Sequence, residues 1–198
     1  MSKKLFTLTG PSCSGKTTLI RKLLQSGHFA EVVSFTSRQP RSGEVHGTDY
    51  YFLDSKTCEK LVAAGETAEA INFKGNWYGI TKAEIQLKFS EGKTPIVIVE
   101  PNGLKQLRET FSLYTTYVDA KLETLYTRYL SRFKQYENPN IEYEAKRIAG
   151  LYLEHKEWPA KVGDVDFYIN EYRPDNEAEI QAKLIAESIY YNETESND

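Results

Sequence analysis

Leu5-Phe6-Thr7-Leu8-Thr9 runs directly into Gly10-Pro11-Ser12-Cys13-Ser14-Gly15-Lys16-Thr17, and this stretch decides the fold. The first five residues are apolar or β-branched and stop at a Gly-Pro pair, which predicts a short strand. Beyond Lys16, the residues Leu19, Ile20, Leu23 and Leu24 recur at helical spacing until Gly27, which predicts an amphipathic helix. The octet between strand and helix matches G-x-x-x-x-G-K-S/T in full, a P-loop. Gly10 and Gly15 permit a tight loop whose backbone N–H groups turn inward on a phosphate. Lys16 can reach the β- and γ-phosphates, and the Thr17 hydroxyl can ligate Mg²⁺. The following helix offers its positive end to the same anion. A chance glycine turn would lack the strand before it and the helix after it.

Outward from this loop the pattern alternates. Pro95-Ile96-Val97-Ile98-Val99 is a continuous apolar run ending at Glu100, which fits a strand buried on both faces. Leu113 to Asp119 and Phe167 to Ile169 are two further strand candidates. Leu122, Leu125, Tyr129, Leu130 and Phe133 form one helical stripe; Ile148, Leu151 and Tyr152 form a second, and Ile180, Leu184, Ile185 and Ile189 a third. Strands alternating with helices predict an α/β fold, a parallel sheet flanked by crossover helices. The segment from Glu31 to Leu53 differs in kind. It is rich in Tyr, Phe, Thr, Arg and Gly, and predicts short irregular or antiparallel strands on a separate lobe.

Composition sets the outer limits. The chain has 198 residues and 22.7 kDa, which at about 150 residues per domain is roughly 1.3 domains. One compact domain with an inserted lobe or lid is expected. Lys plus Arg is 25 against 28 Asp plus Glu, a net charge of −3 that argues against a nucleic-acid partner. No apolar run approaches a membrane span, and the N-terminus shows no apolar signal core. Two cysteines, Cys13 and Cys58, form neither a zinc site nor a disulfide framework. The expectation is a cytoplasmic chain, monomeric or weakly dimeric, acting on small molecules. His28, His46 and His155 are isolated and have no ligand spacing.

The P-loop alone does not name the phosphate acceptor. The D-x-x-G and N-K-x-D elements of GTPases are absent, and the chain is too short for motor or transport modules, which leaves a small kinase. Arg38 and Arg41 then stand out, stiffened by Gln39-Pro40 and followed by tyrosines. Planar guanidinium forks suit a phosphate monoester, since they bind it bidentately and stay charged; two arginines alone would be an ordinary solvated loop.

From Thr36 to Phe52 the residues match T-x-R-x-P-R-x-G-E-x-x-G-x-D-Y-x-F at every fixed position, and Phe73-Lys74-Gly75-Asn76-Trp77-Tyr78-Gly79 matches F-x-G-N-x-Y-G. Together with the P-loop, the chain resembles the guanylate kinase family over roughly residues 4 to 190. The resemblance implies a P-loop nucleoside monophosphate kinase fold. Its core would cover about 1–32, 92–126 and 155–191, its mixed β/α monophosphate-binding lobe about 33–91, its helical lid about 127–154, and a tail 192–198. It implies ATP as co-substrate, Mg²⁺, and phosphoryl transfer to GMP or dGMP. The ATP side would comprise Gly10, Ser12, Cys13, Ser14, Gly15, Lys16, Thr17, Thr18, Arg128 and Asn170. The monophosphate side would comprise Ser34, Arg38, Arg41, Glu44, Tyr50, Glu69, Tyr78, Ile80 and Glu100. Ser34 and Glu69 would read the base. A carboxylate accepts both N1–H and the N2 amino group of guanine, whereas adenine would leave it unsatisfied at about 1–3 kcal/mol. Lys16, Arg38, Arg132 and Arg147 would carry catalysis, with Thr17 and Glu100 holding the metal, the latter through water.

The chain also departs from the family pattern. Ser131-Arg132-Phe133 stands for G-R-G, and Ile98-Val99-Glu100-Pro101-Asn102-Gly103 stands for D-x-D-x-x-G. Ile80 follows Tyr78-Gly79 where the family places a hydroxyl beside guanine O6, so that hydrogen bond is missing unless Thr81 supplies it. A shift toward another N–H-bearing base, as in dTMP, dUMP or a modified deoxynucleotide, is the alternative. A non-catalytic interaction module of the same family is a second, at odds with the intact P-loop.

Overall fold

The computed structural model describes residues 3–133, 141–170 and 184–189. The elements are β1 (Leu5–Thr9), α1 (Lys16–Gln25), β2 (Phe29–Glu31), β3 (Phe35–Thr36), β4 (Tyr51–Phe52), α2 (Ser55–Ala63), β5 (Thr67–Phe73) and β6 (Asn76–Thr81). They continue with α3 (Lys82–Ser90), β7 (Thr94–Ile98), α4 (Pro101–Thr110), β8 (Leu113–Asp119), α5 (Leu122–Phe133), α6 (Ile141–Val162) and β9 (Phe167–Asn170). Residues 184–189 are also helical.

The strands form two sheets. One has the order β2-β7-β1-β8-β9 and every pair in it is parallel. All five side chains of β1 are buried, and four of five in β7, as expected of strands covered on both faces. On one face Phe6, Leu8, Leu19, Ile20, Leu23, Ile96, Ile185 and Ile189 form a core; on the other Leu5, Ile80, Ile85, Val97, Val99, Leu104 and Leu107 form a second. β7 begins one residue earlier than the apolar run suggests. Of the third helical stripe, Ile185 and Ile189 are buried but Leu184 is 58% exposed, Ala186 taking the inward position; Ile180 lies outside the described residues, as do Glu137–Asn140 and the tail.

The second sheet, β4-β3-β6-β5, carries the 31–53 segment as expected, with one difference. β3 and β4 are parallel to each other, and only the β3–β6 and β5–β6 pairs are antiparallel. The long Arg38–Tyr50 loop explains it, because a chain returning by a wide loop is free to re-enter in the same direction.

Three helices, α2, α3 and α4, lie outside the apolar stripes read from the sequence. α2 and α3 start on side-chain caps, Asp54 accepting from the Thr57 N–H and Thr81 from the Glu84 N–H. α4 opens on Pro101, whose missing N–H suits a first turn. Two side chains tie the second sheet to the first layer. Glu84, buried, accepts the Val33 N–H at 3.1 Å and the Tyr51 hydroxyl at 3.1 Å. Gln106 on α4 pairs with the backbone of Ala70 in both directions, accepting its N–H at 3.1 Å and donating to its carbonyl at 3.4 Å. No helix among the described residues is long and apolar enough to cross a membrane.

Candidate active site

The P-loop joins β1 to α1 at the carboxyl edge of the parallel sheet, where such sheets bind ligands. Gly10 has φ 142° and an added Cβ would stand 2.0 Å from the Val118 carbonyl oxygen, so only glycine fits against β8. Gly15 has φ 111° and caps α1. Cys13 takes φ 65° although it is not glycine, a conformation of sparse population that surrounding contacts must hold. Arg128 supplies one such contact, donating from Nη1 to the carbonyls of Cys13 and Ser14 at 3.1 Å each.

Lys16 folds back over its own loop, donating to the Gly10 carbonyl at 2.6 Å and the Pro11 carbonyl at 2.7 Å. Burial pulls its ammonium down to about 8, against the opposing pull of Glu154, Cys13 and Glu100. Beside it opens a cavity of about 370 Å³ lined by Ser12, Cys13, Lys16, Thr17, Tyr129, Arg132, Tyr143, Glu144 and Arg147. Ser12, Cys13, Lys16 and Thr17 of the loop and both outlying arginines, Arg132 and Arg147, therefore line one space, while Gly10, Ser14, Gly15 and Thr18 are not among its walls. Arg147 also reaches Ser12, donating from Nη2 to Oγ at 3.3 Å. Tyr129 donates to Glu144, linking α5 to α6 across the cavity.

The second cluster lies on the lobe. Arg38 forms two 2.9 Å hydrogen bonds to Glu44, one to each carboxylate oxygen. Glu44 also accepts the Arg41 N–H at 2.7 Å, and these contacts, Arg38 first, hold its carboxyl below the usual range. The Arg38 guanidinium lies 5.6 Å from the centre of the Tyr50 ring, which in turn meets Tyr78 edge-on at 6.4 Å. Arg38, Glu44, Tyr50 and Tyr78 thus form one polar cluster. Arg41 is exposed beside it. Ser34 is half-buried at the start of the lobe, its carbonyl accepting the Tyr51 N–H.

Glu69 and Glu100 sit between the clusters. Glu69 faces α4: an added Cβ on Gly103 would lie 3.0 Å from its Oε2. Burial first, and then Glu100, push the Glu69 carboxyl up to about 7. Glu100 caps α4 without a side-chain capping bond and is exposed; its charge acts on both Lys16 and Glu69. Ile80 pairs with Glu69 across β5–β6 but is 1% exposed and packs in the core. The neighbouring Thr81 hydroxyl is engaged as the cap of α3. Asn170 ends β9, exposed, beside Asp119.

Several residues of the site carry no signal in the sequence. Glu154 on α6 accepts the Ser12 N–H at 2.7 Å. His155, isolated along the sequence, has Nδ1 3.3 Å from Asp119 Oδ1, while Tyr168 donates to Asp119 Oδ2 at 2.7 Å. No short motif carries these contacts. Thr17 and Glu100 are both hard oxygen donors, and no cluster of three or more His, Cys, Asp or Glu suited to a metal occurs among the described residues. That donor set fits a magnesium ion that keeps most of its waters and shares substrate phosphates.

Comparison with known proteins places this geometry in a family. A family model described as guanylate kinase matches residues 2–164. The guanylate kinase of Nostoc is 42% identical over 112 residues, 56% of each chain. The human guanylate kinase is 35% identical over 144 residues, 72% of each chain. The chain thus spans a little over half the length of the first of these relatives. A crystal structure of guanylate kinase from Anaplasma phagocytophilum matches with a TM-score of 0.66 at 21% identity, covering 94% of this chain and 86% of that one, a likeness of fold.

Proposed function

The chain belongs to the guanylate kinase family, and on that premise we propose that it transfers the γ-phosphoryl group of ATP to a nucleoside 5′-monophosphate, GMP or dGMP. The position of Glu100 is the observation that carries this reading. Glu100 follows β7, whose Ile98 pairs with Leu8 of β1 just before the P-loop, and it opens α4, whose Gly103 faces Glu69 of the lobe; in this reading the two half-sites share one crevice.

In this reading the Ser12 hydroxyl, the backbone N–H groups from Cys13 to Thr18 and the Lys16 ammonium hold the ATP phosphates, with Arg128 bracing the loop and Asn170 beside the adenine. Lys16 exchanges the Gly10 and Pro11 carbonyls for phosphate oxygens. Arg38 and Arg41, with the Tyr50 and Tyr78 hydroxyls, hold the acceptor monophosphate, and Glu44 aims Arg38. Ser34 and Glu69 read the base. An acceptor oxygen bonds to the γ-phosphorus as the bond to the β-bridging oxygen breaks, leaving ADP and a nucleoside diphosphate. Arg132 and Arg147 neutralise the transferred group, since this chemistry is chiefly alignment and charge compensation. Thr17 and Glu100 would hold Mg²⁺, which when bound shields the phosphate charge. The lobe of about 33–91 and the lid of about 127–154 would close on the core and exclude water.

One observation favours a second acceptor. Ile80 offers no hydroxyl opposite Glu69, and Thr81 is committed to capping α3. Glu69 still requires an N–H donor, which thymine and uracil also present. A coupled assay of ADP release with GMP, dGMP, dTMP, dUMP, AMP and CMP tests both readings. GMP or dGMP turnover is expected. Preference for AMP or CMP overturns the role of Glu69, and no ADP with any acceptor leaves an interaction module.

A further inference from the structure

α6 touches the P-loop at two points on one face. Arg147 and Glu154 are seven residues, or about two turns, apart, and both reach Ser12: Arg147 donates to its Oγ at 3.3 Å, and Glu154 accepts its N–H at 2.7 Å. One residue further, His155 lies 3.3 Å from Asp119 at the end of β8. The helix thus lies against both the P-loop and the end of β8. Arg128 from α5 holds the carbonyls of the next two residues, Cys13 and Ser14.

A carboxylate on the N–H of an anion cradle admits two explanations. It competes with phosphate, or it braces the loop from outside. Ser12, Lys16, Thr17, Arg132 and Arg147 line the cavity beside the loop, and Glu154 does not. It bonds Ser12 from outside that lining, near enough for its charge to act on Lys16, in a short, charge-assisted bond that fixes one peptide plane. The Ser12 peptide immediately precedes Cys13, whose left-handed backbone needs support. We infer that Glu154 is a positioning residue for the nucleoside triphosphate: through the Ser12 N–H it holds the crown of the P-loop in its phosphate-binding shape. This rests on the kinase reading above.

The test is calorimetric titration of wild type, Glu154→Ala and Glu154→Gln with a magnesium complex of a non-hydrolysable ATP analogue and, separately, with GMP. The analogue is expected to bind Glu154→Ala roughly tenfold more weakly, with GMP affinity unchanged. Glu154→Gln keeps an oxygen acceptor and is expected to recover most of the loss. In turnover assays KM for ATP should rise more than kcat falls. Should Glu154→Ala not fold, Glu154→Met replaces it with the same expectations. Unchanged analogue affinity, equal loss toward GMP, or Glu154→Gln no better than the acceptor-free variant overturns the inference. Failure of wild type to bind the analogue overturns the kinase reading instead.

Discussion

Arg38 and Glu44 meet fork to fork, with both nitrogen–oxygen distances at 2.9 Å, and the same carboxylate takes the Arg41 N–H. In the proposed reading Arg38 is thereby aimed before any phosphate arrives. Glu44→Ala is therefore expected to raise KM for the monophosphate roughly tenfold while KM for ATP stays near wild type. Glu44→Gln should fall between, keeping one acceptor. Steady-state kinetics with each substrate varied in turn checks this, and equal effects on both KM values would count against it.

The Lys16 ammonium donates to two loop carbonyls, neutral partners that leave its charge uncompensated until a phosphate arrives. Lys16→Met should lower kcat by about 10²–10³, the usual loss for one electrostatic contact at a developing charge. The fold should tolerate it, because methionine removes a charge whose burial is unfavourable. Thermal melting and kcat measured together decide the matter; near-normal turnover would exclude the mechanism.

Glu69 predicts a pH dependence of definite sign. Its carboxyl is raised from the ordinary 4.5 to about 7. Between those values the folded chain keeps a proton that the unfolded chain has released. Its contribution to stability is therefore complete below pH 4.5 and is lost as pH rises through 7, by up to about 3 kcal/mol. Urea midpoints should decline over that window in wild type and not in Glu69→Gln. Base reading needs the carboxylate, so KM for GMP should rise as pH falls below 7. A flat midpoint in wild type would refute the burial argument.

Ile80→Ser trades a buried branched side chain for a hydroxyl inside the second core. Loss of packing of this kind costs about 2–5 kcal/mol. A fall in melting temperature of several degrees is the primary expected result. A gain in GMP over dTMP selectivity measured on the folded fraction would show that position 80 also meets the base.

The strands beside the P-loop are the most legible in the sequence. β1 and β8 have the bounds their apolar runs suggest, because buried parallel strands leave little choice of residue. α2, α3 and α4 were hidden. α2 buries only Cys58, α3 buries Glu84 among its apolar residues, and α4 begins with Pro101-Asn102-Gly103, which resembles a turn. Lys16 and the two lobe arginines carry local motifs. Glu154 does not, since its partner Ser12 lies 142 residues away and is a backbone N–H that no side-chain pattern reports. His155 was overlooked for the same reason, its carboxylate partner standing on another element.

The pairing of Gln106 with Ala70 has a consequence beyond the crevice. β5 is an edge strand, and an open edge is a template on which a second chain adds itself. One glutamine from the core layer occupies both backbone groups of Ala70 in the middle of that edge. Ile71 and Phe73, just beyond it, are 40% and 56% exposed, the kind of apolar tip that would favour such addition. Gln106 therefore serves as a one-residue false strand, and the middle of the lobe's edge is closed by a helix that belongs to the core.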